Sequence, residues 1–298
     1  IILDTCAEAF PVWVSRVVIT GEREWAHYAA VAATGFATSR IGCPCEAGIE
    51  REMRPAETPD RRAGFSVLIC GEKKQMKQHV SSRVSQCVLP VPTVSAFDGM
   101  PDAADRFYTR MHYFGDGYEE RCTVGGRYCW KIPVMQGEYV GEERFGTIKG
   151  IAGGNFLVMG KDQLSALTAA TVGASVLKDF PGIITSFPGG VVASGSKVGA
   201  KNYRFPMPAS TNHLLCPALF GRIPDSTVPH GGAGLRGSPG SAGGGVSLRR
   251  GAADRRAGPG GGQVSCCSCR AWRSPTRGSA ARGGAGPRRG ARPSPRPT

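Results

Sequence analysis

The chain has 298 residues, 41% of them apolar, which suits a globular core of up to two ordinary domains and excludes a disordered polymer. No run approaches the roughly 20 apolar residues of a membrane-spanning helix and no signal peptide is visible, so a cytoplasmic protein is expected. Residues 230–298 hold 13 Arg, no Lys and one acid, Asp254; the 24 basic and 22 acidic residues before them nearly cancel, so the net charge of +14 carries no case for nucleic-acid or membrane binding by the body.

In chain order, residues 14–20 (VSRVVIT) are β-branched and predict a strand, and residues 22–34 (EREWAHYAAVAAT) form an Ala-rich helical pattern stopped by Gly35. A second strand is expected at 37–43, followed by a polar, proline-containing loop at 54–62. Residues 65–70 predict a strand and 72–88 a helix, with Met76, Val80, Val84, Cys87 and Val88 at helical spacing. Residues 106–114 offer the next strand. The order βαββαβ is that of the ferredoxin-like unit, two split βαβ motifs. The second half opens in the same way, with a strand at 155–160, an Ala-rich helix at 161–178 and short strands at 183–186 and 191–194, and then breaks off. The expected fold is α+β: two ferredoxin-like (βαββαβ) lobes at 1–146 and 147–229, the second incomplete, followed by a disordered Arg/Gly-rich tail at 230–298.

That tail carries 18 of the 43 Gly and very few large apolar residues. Such a segment buries too little surface to offset the roughly 1–2 kcal/mol per residue lost in ordering backbone. Arg-Gly pairs at Arg236, Arg250, Arg277, Arg282 and Arg289 suggest an RNA-binding arm. Against this, the pairs have no period, Trp272 is the sole aromatic and Lys is absent, a composition that out-of-frame translation of a GC-rich gene would produce. Cys266, Cys267 and Cys269 lack zinc-site spacing and a fourth ligand. The eight cysteines before the tail contain no C-x-x-C pair and read as reduced thiols.

Single motifs carry little. Gly150, Gly153 and Gly154 match neither a dinucleotide fingerprint nor a P-loop. Ser194 and Lys197 form an S-x-x-K without the downstream K-T-G of penicillin-binding acyl transferases, the five His form no metal-ligand pattern, and no base activates Cys43 or Cys45. No metal is expected.

A series of polar and glycine-rich blocks says more: DTCAEAF (4–10), ATGFATS (33–39), CPCEAGI (43–49), ETPDRRAG (57–64), TVSAFDGMP (93–101), FGDGYEE (114–120), WKIPV (130–134), GIAGGNF (150–156), FPGGVVASGSKVGAKNY (187–203) and PASTN (208–212). In this order they resemble the formylmethanofuran:tetrahydromethanopterin formyltransferase family. The resemblance implies two ferredoxin-like lobes, proximal at 1–146 and distal at 147–229, in a homotetramer without a prosthetic group. It implies methanofuran and tetrahydromethanopterin as substrates and, in methylotrophic bacteria, the other subunits of a formyltransferase/hydrolase complex as partners.

The implied reaction moves a formyl group between the methanofuran amine and N5 of tetrahydromethanopterin through a tetrahedral species. That chemistry needs donors aimed at the former carbonyl oxygen and an acid or base for the amine protons. Holding both carriers in one cleft supplies the rest. From the matched blocks, Gly153, Gly154, Asn155, Ser194, Ser196, Ser210, Thr211 and Asn212 are expected to hydrogen-bond the carbonyl and pterin. Lys197 and Lys201 are expected to hold substrate carboxylates, and Glu46, Asp98 and Asp116, read as loop carboxylates, to carry protons or to bind the pterin. The chain departs from the family in two ways. His213 stands where relatives have Asp, and the closing strand, helix and glycine-containing strand of the second lobe, with an acidic residue assigned to catalysis, have no counterpart.

Overall fold

Eleven residues rich in Val and Ile, Phe10–Thr20, form β1, the central strand. Its even and odd positions face opposite sides of the sheet, and both sides are buried: Val12 and Val14 on one, Val17 and Ile19 on the other. The computed structural model describes residues 10–39, 42–152, 158, 160–193, 196–213, 216–219 and 222. One edge of β1 pairs antiparallel with β3, the register running from Trp13 opposite Gly71 to Thr20 opposite Gly64. β2 (Glu46–Met53) and β3 (Gly64–Gly71) form the next antiparallel pair. The other edge of β1 is shared: Val17–Thr20 pairs with β4 (Ser95–Asp98), and Phe10–Val14 with β9 (Arg144–Ala152).

Helices α1 (Arg23–Thr34) and α2 (Lys73–Arg83), the latter extended by a wider π turn at Val84–Val88, connect β1 to β2 and β3 to β4. The chain order is thus β1-α1-β2-β3-α2-β4, with the strands side by side as β2-β3-β1-β4. Helix α1 buries Ala26, Ala29, Ala30 and Ala33, a stripe at helical spacing whose short side chains bring the helix close to the sheet. That stripe, Met76, Val80, Val84 and Val88 share one core with the odd-numbered positions of β1 and β3.

Three further strands follow as a meander, β6 (Glu120–Val124), β7 (Arg127–Val134) and β8 (Gly137–Gly141); β8 meets β4 in a parallel contact between Gly141 and Ala96. Gly125 and Gly126, at φ +54° and +77°, make the β6–β7 turn, the doubly left-handed two-residue link that matches strand twist. Among the described residues, strand β5 (Asp105–Tyr108) pairs only with β9. The architecture is mixed α+β with a mostly antiparallel sheet.

The even face of the sheet is covered from the second half. After α3 (Gln163–Leu177), whose first turn is capped by Asp162 Oδ1 accepting the Ser165 N–H at 2.7 Å, the chain crosses that face. Ile184 packs with Val12, Val14, Leu68, Cys70, Met100 and Ala152. Gly48 permits the crossing, since a Cβ there would lie 2.8 Å from the Thr185 carbonyl oxygen and 2.9 Å from the Ile184 Cβ. Helix α3 buries Ala166, Ala170 and Ala174, yet leaves Leu164, Leu167, Val172 and Val176 exposed. Beyond it, β10 (Ser196–Val198) and β11 (Ala209–Thr211) form a separate antiparallel ribbon.

Several sequence expectations need correction. Of the strand expected at 37–43, the described residues 37–39, 42 and 43 form no strand, the Gly42 and Cys43 N–H groups both donating to the Ser39 oxygen; Pro44 follows, and the strand starts at Glu46. The last strand of the βαββαβ order is β4, too short to show an alternation, and not 106–114. That segment divides into β5 and a 3₁₀ turn at Met111–Gly115, flanked by Arg110 and Asp116 in left-handed conformation. Residues 183–186 and 191–193 form no strand; 183–186 instead lies against the sheet through Ile184. Strands β6 to β9 are additional to the expectation, and β9 passes through the expected lobe boundary at 146/147. Of the strand expected at 155–160 only 158 and 160 are described, and the tail at 230–298 lies outside the described residues.

Candidate functional site

The β10–β11 ribbon gathers most of the predicted binding residues. Lys197 stands opposite Ser210 and Ser196 opposite Thr211. The link between the strands is closed by Gly199 N–H donating to the Pro208 oxygen at 3.0 Å, and the Ser210 hydroxyl donates to the Gly199 oxygen. Lys197 Nζ lies 3.0 Å from His213 Nδ1, within hydrogen-bond distance. Lys201 and Thr211 are exposed, and Asn212 is half-buried. Exposed Tyr203 and Phe205 stack at 5.3 Å on the same link. Ser196, Lys197, Lys201, Ser210, Thr211 and Asn212 therefore share one ribbon; Gly153, Gly154, Asn155 and Ser194 lie outside the described residues.

The three predicted carboxylates are not brought together on one element. Glu46 is the first residue of β2 and buried, and Asp98 ends β4 fully buried, so neither occupies the loop expected for it. In the order β2-β3-β1-β4 these strands are three spacings apart, about 14 Å. Asp116 sits on the exposed turn after Gly115, its N–H donating to the Tyr113 oxygen.

Around Asp98 lies a polar cluster that the sequence reading missed. Its Oδ1 accepts the N–H groups of Met100 at 2.9 Å and Gly146 at 3.1 Å, and Arg106 Nη2 is 2.8 Å from Oδ2. The Arg106 contact is an ion pair without hydrogen-bond alignment, since Oδ2 makes no hydrogen bond. Burial, the largest influence, raises the Asp98 pKa despite these partners. Glu142 accepts the Asp98 N–H at 2.8 Å and lies 3.3 Å from Arg127 Nη1, and burial raises its pKa also. Glu143 contacts His112 Nδ1 and accepts the Trp130 indole N–H at 3.2 Å.

Glu50 on β2 is the second group the reading missed. Arg16 donates to its two oxygens at 2.7 Å each, Ser66 adds a third bond at 2.5 Å, and the Gly182 N–H a fourth at 2.7 Å. Burial pushes the Glu50 carboxyl up, but these donors outweigh it and hold the pKa below the usual carboxylate range. Glu50 thus ties the segment after α3 to the sheet. The sequence reading placed no strand at 46–53, and nothing in the sequence named a partner 132 residues away.

Fold and ribbon together define a class: an α+β protein presenting hydroxyl, amide and ammonium groups on a short ribbon, suited to holding polar, anionic carriers by hydrogen bonds. The chain belongs to the formylmethanofuran-tetrahydromethanopterin formyltransferase family, whose profile matches residues 1–134, with the companion profile for the family's proximal lobe matching 137–235. The word proximal thus falls on the second segment, not on the first as the resemblance had implied. Over 233 residues the chain is 51% identical to the formylmethanofuran–tetrahydromethanopterin formyltransferase of Methanocaldococcus jannaschii, covering 76% of this chain and 77% of that protein. The corresponding enzyme of Methylococcus capsulatus is 48% identical over 230 residues, 76% of each chain.

Two solved structures are similar. The formylmethanofuran:tetrahydromethanopterin formyltransferase from Methanosarcina barkeri aligns with TM-score 0.73 and 41% identity over 83% of this chain and 80% of that one. A formyltransferase/hydrolase complex from Methylorubrum extorquens, solved with methylofuran, aligns with TM-score 0.72 and 37% identity over 84% of this chain and 79% of that one.

Proposed function

We propose that this chain transfers a formyl group between methanofuran and N5 of tetrahydromethanopterin, directly within a ternary complex. The observation that carries the reading is identity near one half to enzymes named for this transfer, over three quarters of both partners. The β10–β11 ribbon supports it with the Thr211 hydroxyl and the Asn212 amide as donors for the tetrahedral oxygen and the pterin, and with the Ser210 hydroxyl, whose proton goes to the Gly199 oxygen, as an acceptor; Ser196, Gly153, Gly154, Asn155 and Ser194 take their binding role from the matched blocks alone. Lys197 and Lys201 hold substrate carboxylates, pairing charge outside the reacting centre and so contributing to binding more than to chemistry. Asp116, exposed, is the carboxylate with access to exchange protons; Glu46 and Asp98 act from beneath the surface.

In this reading residues 1–146 and 147–229 are the two ferredoxin-like lobes, strapped together by β9 on β1, and the β2-β3-β1-β4 order supports the ferredoxin-like assignment of the first. Residues 230–298 are an out-of-frame tail, and the second lobe lacks its closing elements and their acidic residue. The exposed Leu164, Leu167, Val172 and Val176 of α3 support this, since large apolar side chains clustered on a surface mark a face meant to be covered. Turnover is therefore slow while binding persists. Assembly as a homotetramer, or with hydrolase-complex subunits, would cover the same face. A second reading, a non-catalytic assembly subunit, draws on the similarity to a complex-borne chain.

Formation of the N5-formyl product by the purified chain, with each carrier's binding measured separately, tests the proposal. Binding of both carriers with turnover well below that of the M. jannaschii relative is expected. Absence of binding would overturn the site, and turnover equal to the relative's would overturn the missing acid. Binding without any turnover, together with co-purifying hydrolase-complex subunits, would select the second reading.

A further inference from the structure

We propose that the cavity between β5 and the β6–β7 hairpin is a binding site for an oxyanion group, the carboxylate or phosphate of a small organic molecule. The cavity measures about 420 Å³ and shares no residue with the β10–β11 ribbon, so the proposal stands whether or not the formyl-transfer reading does. Four arginines line it, Arg106 from β5, Arg121 from β6, Arg127 from β7 and Arg144 at the start of β9, facing the carboxylates of Glu142 and Glu143.

Each carboxylate already has its own partners. Asp98, behind the wall, is paired with Arg106. Glu142 is held by Arg127 and the Asp98 N–H, and Glu143 by His112 and the Trp130 indole. Arg121 and Arg144 are left over. Both are exposed, and among the described residues neither has a carboxylate within ion-pair distance. Each is steadied by an aromatic face, Arg121 at 5.2 Å from the centre of the Trp130 ring and Arg144 at 5.2 Å from that of Tyr108.

A guanidinium resting on a ring keeps its charge and its planar fork of donors while losing side-chain freedom. Two such forks at the mouth of one concavity are preorganised for bidentate capture of a carboxylate or phosphate. Trp130 is itself fixed, stacked on His112 at 4.6 Å and 15° and bonded to Glu143, so the platform beneath Arg121 is rigid. Tyr128, 91% exposed on the same wall, offers a bare ring for any flat group carried next to the anion.

Calorimetric titration of the full chain with inorganic phosphate and, separately, with glutarate tests the site. At least one should bind, and Arg121→Ala and Arg144→Ala should each weaken it about tenfold, the loss of one charge-assisted pair. Lys74→Ala, on the exposed face of α2, should leave affinity unchanged. Binding of phosphate alone identifies a phosphoryl ligand and binding of glutarate alone a carboxylate, each supporting the site. Unaltered thermal melts of the two arginine variants exclude misfolding as the cause of a loss. The proposal is overturned if neither anion binds, if neither arginine variant changes the affinity, or if Lys74→Ala weakens binding equally.

Discussion

Replacing Glu50 with Ala removes the carboxylate on which Arg16, Ser66 and the Gly182 N–H converge. Breaking a buried ion pair by deleting one partner costs about 3–5 kcal/mol. Arg16 keeps 20% of its side chain exposed, which places this pair near the lower end of that range. The Ser66 hydroxyl and Gly182 N–H also lose their acceptor, at about 1 kcal/mol each at the low end of the range for unmet buried groups. Glu50→Ala is thus expected to lower the unfolding free energy by about 4–5 kcal/mol at pH 7, a large share of a typical 5–15 kcal/mol. Urea unfolding measures the loss. Limited proteolysis should show new cleavage between residues 180 and 187, because Glu50 holds that segment at Gly182.

The folded pKa of Glu50 lies below its unfolded value, so its contribution is present above the ordinary carboxylate pKa of about 4.3 and fades as pH falls through the folded value. The gap between wild type and Glu50→Gln should therefore be full above about pH 5 and close in stronger acid. A cost below about 1 kcal/mol for Glu50→Ala, or an unchanged cleavage pattern, would refute the reasoning.

Gly48→Val puts branched carbon where a Cβ alone meets the Thr185 oxygen at 2.8 Å, and should cost about 1–3 kcal/mol by overpacking, with faster amide exchange at 182–186 as the local signature. For Glu142 the sign is opposite to that of Glu50: its folded pKa is raised, so the stability it adds is present below the ordinary carboxylate pKa and lost as pH rises through the folded one. The unfolding free energy of Glu142→Gln relative to wild type should accordingly rise between pH 4 and 7; a flat difference would contradict the buried-charge account. Lys197→Ala, which removes a charge from the proposed ribbon, should raise the KM for a carrier about tenfold with little change in melting temperature or kcat, the mark of uniform binding.

Much of the first half was legible because its elements obey simple periods. VSRVVIT, the alanine stripe of α1 and the apolar positions of α2 fall on the elements expected of them. What escaped was short or long-range. Ser95–Asp98 has four residues, all buried, so no alternation marks it, and its place beside β1 is decided by a register no local pattern encodes. The β6–β7 hairpin has a readable signal, Gly125-Gly126 between Cys- and aromatic-bearing runs, although no strand was expected there. Residues 183–186 have a strand's composition, but they meet the face of the main sheet and not a strand edge, where Gly48 leaves room and Glu50 supplies an acceptor. In the site, the blocks holding Ser196, Lys197, Ser210 and Thr211 are legible in the sequence; that Lys197 faces Ser210 and Ser196 faces Thr211 across a ribbon is a fact of folding.

The central claim, that a formyl-transfer site is retained while the second lobe lacks its closing elements, is tested most directly by a chimera. Residues 230–298 would be replaced by the C-terminal segment of the M. jannaschii relative, and N5-formyl product formation compared with the parent chain. A rise of about 100-fold or more, with carrier binding little changed, is the predicted result, the size expected for restoring a positioned acid or base. A properly folded chimera that binds both carriers yet transfers formyl no faster than the parent would contradict the account.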